Sequence, residues 1–155
     1  MQSYRHRPPR LAQLSDGVRP FYFITFVTHN RAALLANDEV HAAFICFCNR
    51  AAEHGVTVGR YILMPDHAHF FVVMAPEARP LKSWVGSLKM MIGKTLLRLG
   101  HNTPHWQEGF FDHVLRSSEN YAEKWEYVRQ NPVRAGLVET AESWRYQGEV
   151  QQIIF

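Results

Sequence analysis

Residues 56–75 read VTVGRYILMPDHAHFFVVMA, and the reading of this stretch decides the fold. Two runs rich in β-branched and aromatic residues, VTVGRYILM and HAHFFVVMA, flank Pro65-Asp66. The segment therefore reads as two antiparallel strands joined by a tight turn. Side chains at i and i+2 of a strand share a face, with backbones roughly 6.5 Å apart. His67 and His69 thus aim both imidazoles to one side, where each could bond a single ion through one ring nitrogen. A pair of hydrogen-bonded surface or core histidines fits the same pattern, so the pair alone leaves both readings open.

Working outward, RPFYFITFVTHN (19–30) is apolar at nearly every position and reads as a central strand. Asp38 is placed to cap a helix over EVHAAFICFCNRAAEHG, which Gly55 closes. After the hairpin, Leu81, Trp84, Val85, Leu88, Ile92 and Leu96 follow the helical period, giving a second helix from about Leu81 to Leu99 that Gly100 ends. GFFDHVLR (109–116) reads as a fourth strand. Ser118 or Asn120 then caps a third helix, Glu123 being the capping-box partner of Asn120. Pro132 disfavours helix at Asn131, so this helix should finish there. The order β-α-β-β-α-β plus a helix predicts an α+β, ferredoxin-like sandwich with an antiparallel sheet and an added C-terminal helix. Residues 1–17 form a basic arm, 18–138 one domain, and 139–155 a tail without an assigned element.

At 155 residues the chain is long enough for one cored domain. Its apolar and charged fractions, 46% and 20%, are ordinary for a globular protein. The apolar runs are too short to span a bilayer, and no apolar core follows the N-terminal charges, so the expectation is a cytoplasmic protein without membrane contact. Cys46 and Cys48 match no zinc or redox spacing and read as buried structural thiols. The net charge of +3 is a weak pointer to nucleic acid by itself. Its distribution says more: Arg5, Arg7 and Arg10 crowd the arm, and Lys82, Lys89, Lys94 and Arg98 recur along the second helix.

On the third helix, Tyr121, Trp125 and Val128 fall at i, i+4 and i+7 and make the core stripe. Tyr127 lies roughly 160° around the helix from Trp125. Its same-face neighbours are Lys124 at i−3 and Asn131 at i+4. A phenol, an amide and an ammonium therefore share a polar face. Two imidazoles leave a divalent ion open positions that an amide carbonyl and a phosphate oxygen can fill, a mixed set suited to Mg2+ or Mn2+ with phosphate. A phenol, with its reference pKa of ~10, needs such help to act as a nucleophile at neutral pH.

The remaining candidates have simpler accounts. Asp66 reads as the turn residue after Pro65, and Asp112-His113 as a strand-end pair with local partners. His101, His105 and Trp106 lie in a loop where base stacking and ordinary packing are both open. His29, His41 and His54 read as surface residues.

MPDHAHFFVVM (64–74), WQEGFFDHVLR (106–116) and EYVRQNPVRAGLV (126–138) occur in that order and resemble the single-tyrosine HUH transposases, in particular the REP-associated tyrosine transposases. The resemblance covers about Tyr22 to Val138, with Ala68 smaller than the bulky middle residue of the His-x-His name. It implies a catalytic domain over 18–138, metal ligands at His67, His69 and Asn131, and a nucleophile at Tyr127. It also implies cleavage and strand transfer of single-stranded, hairpin-forming DNA through a 5′-phosphotyrosine. Relatives include dimers that place the tyrosine helix against a neighbour's histidines, so monomer and homodimer both stay open. Arg5, Arg7, Arg10, Lys82, Lys89, Lys94, Arg98, Lys124 and Arg134 are the candidate DNA contacts. Two other functions remain open: a domesticated regulator that grips hairpins without cutting, and a metal-dependent nuclease whose nucleophile is water.

Overall fold

The computed structural model describes residues 19–154; Arg5, Arg7 and Arg10 lie outside the described residues. Strand β1 (Phe21–Val27), helix α1 (Asp38–Ala51), β2 (Val56–Leu63), β3 (His67–Met74), α2 (Leu81–Arg98), β4 (Phe111–Leu115) and α3 (Ser118–Arg129) follow in the expected order. A short helix α4 (Asn131–Arg134) and a three-residue strand β5 (Gln147–Glu149) come after them. The sheet runs β4-β1-β3-β2-β5 and every pairing is antiparallel. Its first four strands have the ferredoxin-like βαββαβ topology, an α+β sandwich to which α3 is added. The tail holds the fifth strand, which pairs Gln147–Glu149 with Arg60–Ile62 of β2.

Strand alternation sends successive residues to opposite faces, and both faces of this sheet are covered. On one face Ile24, Phe26, Ala68, Phe70 and Val72 pack with Val40 and Phe44 of α1 and with Trp84, Leu88 and Ile92 of α2. On the other, Phe21, Phe23, Ile62 and Phe71 pack under Tyr121 and Val128 of α3, joined by Trp125, Trp144 and Ile153. The odd-numbered residues of β3, His67 and His69 included, belong to the α3 face.

A bulge between Val58 and Tyr61 adds one residue to β2 and so switches its alternation. The Arg60 N–H freed there donates to the Tyr121 hydroxyl at 3.0 Å. Gly59 leaves room at this crossing: a Cβ there would lie 2.5 Å from Ile153 Cδ1 and 2.7 Å from the Tyr121 oxygen, so these side-chain ends would have to shift. The bulge thus pins the first turn of α3 and the C-terminal segment at the same point.

Several local expectations shift by a residue. Asn37, not Asp38, caps α1: its extended backbone lets Oδ1 accept from Val40 N at 2.9 Å. Asp38 is instead the first helical residue and pairs with Arg145 at 2.9 Å. Ser117, rather than Ser118 or Asn120, caps α3 by accepting from Asn120 N. α3 stops at Arg129, but the chain stays helical through Gln130 into α4. Pro132 sits in the first turn of α4, where its missing N–H is not needed. Cys48 is buried but Cys46 is exposed, because residues two apart on a helix face different sides. His41 is half-buried with Nε2 2.7 Å from the Tyr61 hydroxyl, unlike the exposed His29 and His54. His105 is buried and bonded to the His101 carbonyl, while Trp106 packs edge-on against Phe26.

Candidate active site

The site grows from the β1–β3 register, which sets Thr25 opposite His69 and Val27 opposite His67. The two imidazoles lie 4.8 Å apart between ring centres, nearly at right angles. Each has its Nδ1 engaged. His67 Nδ1 is 2.7 Å from Asp66 Oδ1, and the same carboxylate meets Arg31 at 3.4 Å. A carboxylate only accepts, so Nδ1 of His67 bears a proton, and in the neutral imidazole the lone pair then falls on Nε2. Burial would raise the Asp66 carboxyl, but the His67 hydrogen bond and charge, with Arg31, outweigh it and hold it below its usual value.

His69 Nδ1 is 2.7 Å from Thr25 Oγ1, and its ring stacks on Phe23 with centres 5.2 Å apart. Burial first, then the positive charges of His67, Lys124 and Arg134, push its pKa down to about 3. At neutral pH His69 is therefore an uncharged imidazole with a lone pair to give. When the threonine hydroxyl accepts from Nδ1, that lone pair falls on Nε2. Imidazoles oriented through Nδ1 by a carboxylate or hydroxyl are the usual form of metal-binding histidine. Among the described residues no cluster of three or more His, Cys, Asp or Glu could hold an ion. An ion held by both imidazoles would therefore take any further donor among the described residues from another residue type.

The junction of α3 and α4 supplies the polar groups. Tyr127 is 64% exposed, whereas Tyr121, six residues earlier, is 7% exposed in the core, as the helical phase predicts. Arg134 draws this junction together. Its guanidinium lies 4.2 Å from the Tyr127 ring centre, and its Nη2 donates to the Tyr127 carbonyl at 2.8 Å and to Asn131 Oδ1. Lys124 reaches over the Phe23 ring at 4.8 Å and borders a 240 Å³ depression lined by Thr25, Phe111, Asp112 and His113. A second depression of 470 Å³ runs between the Met64–His67 turn and Ala135 and Leu137, which follow α4. His67 thus borders, across this depression, the residues that follow α4, and the charges of Lys124 on α3 and Arg134 on α4 reach His69.

The basic candidates divide by face. Lys124 and Arg134 adjoin the histidines, while α2 packs on the opposite side of the sheet. On α2, Lys82, Lys94 and Arg98 are exposed. Lys89 is turned inward: its Nζ donates to the carbonyls of Gly109 at 2.5 Å and Gln107 at 3.3 Å, over the rings of Phe26 and Trp106. Sequence reasoning missed Thr25 and the linking part of Arg134. Thr25 is the one non-aromatic polar residue of β1, but only the strand register reveals that it meets His69.

Comparison with known proteins agrees with this layout. A Haemophilus influenzae protein whose name assigns it to the REP-associated tyrosine transposases is 22% identical over 135 residues, covering 81% of this chain and 77% of its own. Among solved structures, a REP-associated tyrosine transposase bound to a REP hairpin superposes with a TM-score of 0.66 at 19% identity, over 95% of this chain and 82% of that one. A Deinococcus radiodurans protein named as a transposase gives a TM-score of 0.50 at 18% identity, over 75% and 93%. Residues 20–131, a span that includes both histidines, Tyr127 and Asn131, match the model described as transposase IS200 like, and the chain belongs to that family.

Proposed function

We propose that this protein cuts and rejoins single-stranded DNA with Tyr127 as its nucleophile, aided by Mg2+ or Mn2+, on hairpin DNA of the REP type. The observation that carries the reading is the paired histidines, each tied through Nδ1, within reach of the charge of Arg134, which itself binds the exposed Tyr127 and the Asn131 amide. His67, His69 and Asn131 would hold the ion through two imidazole nitrogens and a carbonyl oxygen. A divalent ion there supplies charge withdrawal from a bound phosphate and leaves coordination positions for its oxygens.

The chain's own residues do the rest. Thr25 and Asp66 keep the imidazoles oriented, and burial keeps His69 uncharged. Tyr127 Oη attacks the phosphorus as its proton passes to solvent, and the bond from phosphorus to the 3′ oxygen breaks. The released 3′ oxygen takes up a proton, and the DNA remains attached as a 5′-phosphotyrosine. A 3′-hydroxyl attacking that ester reverses the step at a new junction. One phosphodiester-type bond replaces another, so no energy source is consumed. Lys124, next to the histidines, is placed to meet DNA phosphate. The hairpin held by the structural relative supports the same class of partner here.

The test is a labelled single-stranded hairpin incubated with Mn2+ and run on a denaturing gel. Label should remain on the wild-type protein and vanish with Tyr127→Phe or without metal. Cleavage by the Phe variant with no adduct would instead identify water as the nucleophile. Tight binding with no cleavage by either protein would identify a regulator.

A further inference from the structure

Arg134 is basic and close to the histidines, as a DNA-contacting residue would be, but its surroundings are those of an internal clamp. It stands at i+3 from Asn131 and i+7 from Tyr127, positions that share a face on continuous helix. The Tyr127 carbonyl lies in the last turn of α3, where carbonyls run out of intrahelical donors, and Arg134 Nη2 supplies one. The same nitrogen donates to Asn131 Oδ1, and the guanidinium covers the Tyr127 ring at 4.2 Å.

We propose that Arg134 is a positioning residue that locks the Tyr127 ring and the Asn131 amide into one unit. The proposal rests on the reading of Tyr127 as nucleophile and deepens it. Three physical features support it. A guanidinium has donors and no acceptor, so it holds the oxygen end of the amide toward itself and fixes which way the side chain is turned. The amide oxygen keeps a second lone pair for a cation. A cation over an aromatic face restrains a tyrosine that is otherwise 64% exposed and free to sample rotamers. Lysine is a poor substitute, because its compact, strongly hydrated ammonium has no planar face to lie on the ring while one nitrogen bonds the carbonyl and the amide.

Positioning and DNA binding predict different behaviour. Removing a side chain that grips phosphate weakens binding and lowers the salt slope by about 1. Removing one that positions the nucleophile leaves binding intact and slows the chemistry, since small misplacement of a reacting group costs on the order of 100-fold.

The experiment measures hairpin affinity across salt concentrations and single-turnover adduct formation for wild type, Arg134→Ala and Arg134→Lys. Fluorine NMR of 3-fluorotyrosine-labelled protein, with the Tyr127 signal assigned through Tyr127→Phe, reads the ring without DNA or metal. The expected result is a 10- to 100-fold slower adduct in both variants, with affinity within about threefold, an unchanged salt slope, an unchanged melting temperature and a displaced Tyr127 resonance. Full rate in Arg134→Lys would overturn the proposal, because charge alone would then suffice. Weaker binding with a reduced salt slope and unaltered chemistry would overturn it in favour of phosphate binding. Should Arg134→Ala melt early, the Lys variant still decides. Absence of any wild-type adduct would overturn the proposed function itself, whereas a normal adduct rate in Arg134→Ala overturns only the clamp.

Discussion

The two faces of the sheet are built from the same strands, yet they do different work. The face under α1 and α2 is closed by large apolar side chains that are almost wholly inaccessible, among them Phe26, Phe44, Phe70 and Trp84. The face under α3 has a smaller cluster that ends at Phe23, beyond which the strands carry Thr25, His67 and His69. Stability is therefore concentrated on one side and the proposed chemistry on the other. His69 and Phe70 are adjacent in sequence, and alternation alone sends one to each side.

That adjacency gives the strongest way to break the comparison. Phe70→Ala should cost about 3–5 kcal/mol of stability through reduced burial and the cavity left behind. A lower urea midpoint measures this, and adduct chemistry should persist in whatever fraction stays folded. His69→Ala should do the reverse. It removes one hydrogen bond and one stacked ring, about 1 kcal/mol, while adduct formation falls below detection. Comparable stability losses in the two variants would mean that the faces are not divided as the packing implies.

A smaller effect should follow from Thr25→Val, which keeps the shape and removes the hydroxyl. The His69 ring loses its Nδ1 partner, and partners of this kind are worth about 10- to 100-fold in metal affinity. Titration of Mn2+ by electron paramagnetic resonance, without DNA, measures it. An unchanged affinity would show that stacking on Phe23 orients the ring by itself.

The sequence carried much of this division, because periodicity is local. The β-branched and aromatic runs around Pro65-Asp66 gave the hairpin, and the two-residue period of a strand put both histidines on one side. The helical period separated Tyr121, which packs inside, from Tyr127, which does not. What it could not carry depends on neighbours distant in the chain. Thr25 meets His69 only through strand register. β5 is a three-residue strand with a central glycine, too short to show alternation, and it is held by pairing with β2 rather than by its own pattern. The caps missed by one residue because Asn37 and Asp38, or Ser117 and Ser118, are chemically near-equivalent, and backbone angles choose between them. Arg134 looked like any basic residue, because nothing in its spacing reveals that its guanidinium lies on a ring.

The least effect expected is one of pH, and it belongs to the α2 face. Burial pulls the Lys89 ammonium down to about 8 from an ordinary value near 10.5. A cation with a lowered folded-state pKa binds its proton less well when folded than when unfolded. Below pH 8 both states are protonated and the cost of burying the charge is carried in full. Between about pH 8 and 10.5 the folded state releases its proton first, so stability rises with pH. The fall to about 8 reflects burial alone, and two carbonyls and two ring faces that favour the charge oppose it, so the rise should be much smaller than that fall implies. Buried Cys48 and Tyr61 titrate the opposite way, their burial raising them, the tyrosine to about 12, so they remove stability as pH climbs. The informative quantity is therefore a difference. Relative to Lys89→Met, wild type should gain urea resistance between pH 7.5 and 9.5, and a flat difference would mean that the carbonyls and rings fully offset burial.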